Sequence, residues 1–232
     1  MRVSQAPTGK SWLDFDQLAA LVGAAGELDA SARGSDHRAR GRRALLAALF
    51  LSGLRVSELC ALRWSDVDLE RELIHVRRSK TPAGVRSVPI GALLLSELRT
   101  WSDASRSAGA KKPPAAALVY PTARGSERDR NNIRTRVLAP ACRRANERLA
   151  KDGEAPLPAL TNHAGRRTAI TWWAEAAVSV RRVMAWVGHR DARMTIEVYQ
   201  QLEQRRPDPR IKAAMAVSWL RDELAREGPT DA

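Results

Sequence analysis

The chain has 232 residues, 44% of them hydrophobic and 28% charged, enough for one large domain or two small ones around a substantial core. It has no run of about 18 apolar residues, and its opening MRVSQAPTGK lacks the apolar stretch of a signal peptide, so it reads as neither membrane-spanning nor secreted, and a cytoplasmic location is expected. Lys and Arg total 39 against 26 Asp and Glu, a formal charge of +13, and this excess points to a polyanion partner, DNA or RNA, or to a generally basic protein of the ribosomal kind.

Residues 1–10 read as a linker. Asp14 and Gln17 form a capping-box pattern ahead of a helix carrying Leu18, Leu21 and Val22, and Gly26 to Gly34 reads as a loop. A second helix is expected from about Asp36 to Ser52, ended by Gly53, with a short helix through Ser57, Glu58 and Leu59 behind it. The period then changes. Leu73 to Val76 and Val85 to Val88 read as two strands of a hairpin, with Lys80 to Gly84 as its turn. Helical pattern returns at about Ala92 to Ser102, and Leu118 to Pro121 is a short extended piece. Further helices are expected at Asp129–Leu149, Asn162–Ala176, Ser179–Val187, Thr195–Gln201 and Asp208–Glu227. In the last, Ile211, Ala214, Met215, Ser218 and Trp219 share one stripe, suited either to packing on the parent domain or to docking on a neighbour. The expected fold is α+β and mainly α, with a small antiparallel β-sheet.

Cys60 and Cys142 stand far apart and suggest reduced thiols rather than a disulfide. Neither HExxH nor CxxC occurs, so no metal site is expected. The polar residues that remain suit one reaction. Arg55 and Arg166 could hold the non-bridging oxygens of a phosphodiester and stabilise a pentacoordinate phosphorane. Lys80 could protonate a departing oxygen. His163, three residues before Arg166 and so on the same helix face, and His189 could move protons or donate to the phosphate. Tyr199 could attack and store the bond energy as an ester. A free phenol titrates at about 10, so it needs positive charge nearby to react near neutrality.

The motifs around these residues resemble a known family. Gly53-Leu54-Arg55-Val56-Ser57-Glu58-Leu59 resembles the GLRxSEL box of the tyrosine recombinases (phage-integrase type), and Leu62-Arg63-Trp64-Ser65-Asp66-Val67-Asp68 resembles its continuation. Lys80-Thr81 with Arg86-Ser87-Val88-Pro89-Ile90 is similar to the family's lysine hairpin and return strand. His163-Ala164-Gly165-Arg166 resembles HxxR, Val187-Gly188-His189 resembles LGH, and Met194-Thr195 with Val198-Tyr199 resembles the run into the nucleophile. The matches keep the family's order and span Trp12 to about Gln201.

The resemblance implies a catalytic fold over residues 11–205 that cleaves and rejoins DNA through a 3′-phosphotyrosine, with no metal or nucleotide cofactor. Arg55 and Arg166 would clamp the scissile phosphate, and Lys80 would be the general acid for the 5′-hydroxyl. His163 would assist proton transfer from Tyr199, and His189 would donate to a phosphate oxygen. Glu58 would support Arg55. Arg40, Arg43, Arg86, Arg130 and Arg134 are candidate DNA contacts. The expected partner is double-stranded DNA, with a monomer alone in solution and a homotetramer on DNA, linked through residues 206–232. Two rivals share part of the pattern: a type IB topoisomerase-like enzyme, and a remnant that binds DNA without cutting it.

The sequence departs from the family at Arg167, where His is usual, and at Gly165, where an apolar residue is common. A helical glycine costs about 1 kcal/mol relative to alanine, so looser packing is expected there. Family members also carry an N-terminal DNA-clamping domain of roughly a hundred residues that is not expected in this chain, so its own DNA binding should be weak and salt-sensitive.

Overall fold

A computed structural model of the protein describes residues 12–32, 41–77, 85–106, 110–188, 193–202 and 207–219. The expected linker over 1–10 and the hairpin turn over 80–84 lie outside these residues, as do Arg40, Lys80 and His189.

The architecture grows from one helix that is apolar all round. In α2 (Arg42–Leu51), every residue from Ala44 to Leu51 is buried, so it must be enclosed on all sides. Helices α1 (Phe15–Ala30), α4 (Ala92–Ser105) and α7 (Asn162–Glu175) pack around it, and α6 (Ala139–Lys151) covers the far side of α1. The α1 capping box forms as expected, with Asp14 accepting from the Gln17 N–H and Gln17 accepting from the Asp14 N–H. Leu13 is stitched to α7: its N–H donates to Thr168 Oγ1 and its carbonyl accepts from Trp172 Nε1.

The helix α3 (Val56–Cys60) follows Gly53, whose φ of +68° ends the preceding helical run. The expected hairpin is present as β2 (Leu73–Val76) and β3 (Arg86–Pro89), paired antiparallel with Ile74 opposite Val88. A two-residue strand not expected from the sequence, β1 (Val67–Asp68), adds to the other edge of β2. Two residues are too few to show a period. The chain closes with α8 (Val180–Val187), α9 (Arg193–Leu202) and α10 (Pro209–Ala214).

Four expectations are corrected. The loop placed at Gly26 is helix, because α1 runs on to Ala30 and ends only after buried Asp29 has accepted the Arg42 and Arg43 N–H groups at the start of α2. The helix expected over 129–149 begins as the short α5 (Arg130–Asn132), widens into a π-helical turn over Ile133–Leu138 and continues as α6. Pro140 explains the widening: it has no N–H to donate one turn back, and its ring would crowd that turn. The helix expected over 208–227 is broken, since α10 stops at Ala214 and the Ala216 carbonyl accepts from the Ala92 N–H instead. Ile211, Ala214 and Met215 are buried in the parent domain, so this part of the stripe packs at home.

The fourth correction concerns Gly165, where packing is tight, not loose. A Cβ at this position would lie 2.5 Å from the Leu49 carbonyl oxygen of α2. The glycine sets how closely α7 crosses α2, and α7 carries Arg166. Two effects therefore compete in Gly165→Ala: a gain of about 1 kcal/mol in helix propensity, and a backbone clash costing about 1–3 kcal/mol or more. The clash should win. Urea denaturation should show a lower midpoint for the variant, and a midpoint at or above the parent's would mean that the crossing has slack.

Candidate active site

Arg55 sits between Gly53-Leu54 and the first turn of α3, with its side chain partly exposed. Its N–H donates to Glu58 Oε2 at 2.8 Å and its Nη1 to Glu58 Oε1 at 2.9 Å, so the carboxylate one turn on fixes both ends of the residue. Arg166 comes from α7 and is buried, 7% exposed. Its Nη1 donates to the Gly53 carbonyl at 2.7 Å and its Nη2 to the Val187 carbonyl. Burial first, then Arg55 and Arg86, push the Arg166 guanidinium down to about 9, with Glu58 opposing; it remains charged at neutral pH. That mutual repulsion is the electrostatic sign of cations gathered at one place, where an anion would relieve it.

What holds the cations together is the end of α8. An α-helix leaves its last carbonyls without partners and carries partial negative charge there. Here Gly188 turns left-handed, at φ 63° and ψ 45°, and its N–H closes on Met184. The next exposed carbonyls are filled by arginines. Trp186 O accepts from Arg86 Nε at 2.6 Å, Val187 O from Arg166 Nη2, and Gly188 O from Arg55 Nη2 at 3.0 Å.

Arg86 was expected at the DNA surface and is instead enclosed, its side chain 5% exposed. Its Nη1 and Nη2 form a fork on the Glu58 carboxylate at 3.0 and 2.8 Å. Burial pushes the Glu58 pKa up, but Arg86 and Arg55 outweigh it and hold the carboxyl below its ordinary value. Arg43, also expected at DNA, is engaged by Glu97 through Nε at 2.8 Å and Nη2 at 2.6 Å, which satisfies its fork within the protein.

His163 is exposed in the first turn of α7, one turn before Arg166. Arg167, in the position where the family usually has His, is buried; burial lowers its pKa, and Glu197 of α9 opposes the shift. Tyr199 lies on α9, which packs against α7 and α8. It is half-buried, and its hydroxyl donates to the Val178 carbonyl in the α7–α8 turn. Burial raises the phenol well above its usual value. In this position the oxygen is protonated and turned to a neutral carbonyl. Lys80 and His189 belong to segments outside the described residues, although Gly188, which precedes His189, caps the carbonyl array.

A basic surface lies further along the chain. Arg130 and Arg134 are exposed on α5 and the π-helical turn, with no ion pair among the described residues. Beside them an open cavity of about 520 Å³ is lined by Arg124, Arg128, Arg136, Thr122, Ser126 and Asn132. Several other arginines among the described residues are tied to carboxylates, as in Arg77–Asp66, Arg144–Glu27 and Arg210–Asp16. No helix among the described residues is long and apolar enough to cross a membrane.

Comparison with known proteins agrees with this arrangement. The model of the Phage integrase family matches residues 11–206. The tyrosine recombinase XerC of Xylella fastidiosa (strain 9a5c) is 33% identical over 161 residues, 69% of this chain and 48% of that protein. The chain thus spans about half the length of the curated relatives it matches. Among solved structures, the XerA recombinase superposes with a TM-score of 0.58 at 22% identity, over 100% of this chain and 67% of that one. The Tn1549 transposon integrase in complex with circular intermediate DNA gives 0.61 at 20% identity, over 97% and 70%. These structures share the fold, mainly helical with a small antiparallel sheet, and the sequence match covers the motifs that bring Arg55, Arg166 and Tyr199 to neighbouring elements. The chain belongs to the phage integrase family and carries a tyrosine recombinase catalytic domain.

Proposed function

We propose that the chain is the catalytic part of a site-specific DNA recombinase that breaks and rejoins strands through a 3′-phosphotyrosine on Tyr199. The observation that carries this reading is the pair Arg55 and Arg166, held side by side by the Val187 and Gly188 carbonyls. Two guanidiniums fixed before the substrate arrives stabilise the developing phosphorane charge without reorganising during the reaction. The Tyr199 oxygen attacks phosphorus, the P–O5′ bond breaks, and the 5′-oxygen takes a proton from Lys80. His163 accepts the tyrosine proton, and His189 donates to a non-bridging oxygen. Ligation is the reverse attack by a 5′-hydroxyl. Arginine and lysine supply the charge, and the reaction is expected to proceed in EDTA.

On this reading the partner is duplex DNA, bound by a monomer that assembles as a homotetramer on the site. Arg130 and Arg134, with the cavity around Arg124, Arg128 and Arg136, are the proposed backbone contacts. The Tn1549 transposon integrase, which shares the fold, is seen in complex with DNA, and this supports a DNA partner.

The chain is incubated with a pool of nicked suicide duplexes of randomised sequence, and covalent adducts are counted on a denaturing gel beside Tyr199→Phe. An adduct in the parent and none in the variant is expected. A folded parent that binds DNA without forming an adduct would favour the non-cutting remnant, and relaxation of single-site plasmids without recombination would favour the topoisomerase-like enzyme. The basic face makes a separate prediction. Each lost phosphate contact lowers the slope of log affinity against log salt by about 0.9, so Arg130→Ala with Arg134→Ala should flatten it by roughly 2. An unchanged slope would place the DNA elsewhere.

A further inference from the structure

We infer that Arg86 is a positioning residue for strand transfer: it clamps Glu58 to the end of α8 and thereby fixes Arg55 at the phosphate. The inference rests on the strand-transfer reading above and adds a residue to it.

The geometry is a closed loop of hydrogen bonds. Arg86 Nε donates to the Trp186 carbonyl at 2.6 Å, while its Nη1 and Nη2 donate to the two Glu58 oxygens at 3.0 and 2.8 Å. The same two oxygens accept from Arg55 Nη1 and from the Arg55 N–H. Arg55 Nη2 returns to the Gly188 carbonyl, two residues from Trp186. Glu58 therefore stands between two guanidiniums, one enclosed and one facing outward, and both are anchored to the same helix end. With side chains only 5% and 9% exposed, Arg86 and Glu58 are not an exchangeable surface pair. A planar fork with a third donor along its edge is needed to hold a carboxylate and a carbonyl together.

The arrangement also explains why β3 and α8 pack together. Arg86 is the first residue of β3, so the clamp sets the start of that strand against the helix end that holds Arg55 and Arg166. A lysine at 86 would keep the charge, but its single ammonium cannot span Glu58 and Trp186 O at once. Charge and clamping are thus separable.

The full chain is made as Arg86→Lys, Arg55→Lys and the double variant, with arginine side chains labelled with nitrogen-15. Arg86→Lys should keep the parent's circular dichroism. Hydrogen exchange at the Arg55 guanidinium, measured without DNA, should be at least tenfold faster. Adduct formation on the randomised nicked duplexes should slow by roughly a hundredfold, and in the Arg55→Lys background the same substitution should slow it by less than twofold. Should Arg86→Lys fail to fold, Arg86→Gln, which removes the fork and leaves Glu58 as the partner of Arg55, takes its place, with the same fast Arg55 exchange expected. Unchanged Arg55 exchange in a folded variant would overturn the inference, as would a slowing that persists in full without Arg55. If the parent forms no adduct, the strand-transfer reading fails, while Arg55 exchange still decides whether Arg86 holds it.

Discussion

The C-terminal carbonyls of α8 are the constraint on which the site depends. On the proposed reading, arginines gathered around one phosphate position repel each other before the phosphate is present; the Arg166 pKa is lowered first by burial and then by Arg55 and Arg86. A protein can offset it with carboxylates, which would then compete with the phosphate, or with dipoles, which do not. This chain mainly uses dipoles. Trp186 O, Val187 O and Gly188 O each take one guanidinium edge, and a carboxylate, Glu58, is placed behind Arg55. The helix end thus supplies partial negative charge without a group that could occupy the anion's place.

Position follows from packing. α2 is buried on every side and fixes where α7 crosses it, at the close approach of Gly165 to Leu49. That crossing sets Arg166. α8 is held through Trp186, which packs edge-on to Trp173 with ring centroids 5.0 Å apart, and through Arg86 from the sheet. α9 packs on both α7 and α8, so the element that carries Tyr199 is indexed to the arginines. Tyr199 itself rests on the Val178 carbonyl. On the proposed reading, the arginines are assembled before the reaction and the nucleophile is not.

Much of this was legible in the sequence. The motif boxes named Arg55, Arg166 and Tyr199, the capping box at Asp14 marked the start of α1, and the helix expected from about Asp36 to Ser52 is present as α2 over Arg42–Leu51. What escaped has a physical reason in each case. The role of Arg86 depends on a backbone carbonyl a hundred residues away, and a carbonyl leaves no mark in the sequence. The same is true of the fit at Gly165: propensity reads a helical glycine as a weak point, whereas here it is the condition for close approach. Arg43 looked like a phosphate ligand because its neighbours are basic, but its partner Glu97 comes from a distant helix. Arg130 and Arg134 read the same way by composition, and they are left without ion pairs among the described residues. The break after Ala214 arises because α10 yields its last turn to a backbone bond with α4, a tertiary event that an unbroken apolar stripe cannot announce.

On the proposed reading, the oxygen of Tyr199 becomes covalently joined to DNA at the position these arginines define. The most direct measurement is mass-spectrometric mapping of the protein–DNA adduct after nuclease and protease digestion. A nucleotide remnant, attached through its 3′-phosphate, is expected on the peptide containing Tyr199. A remnant on Tyr120 or on a serine, or a link through a 5′-phosphate, would contradict it.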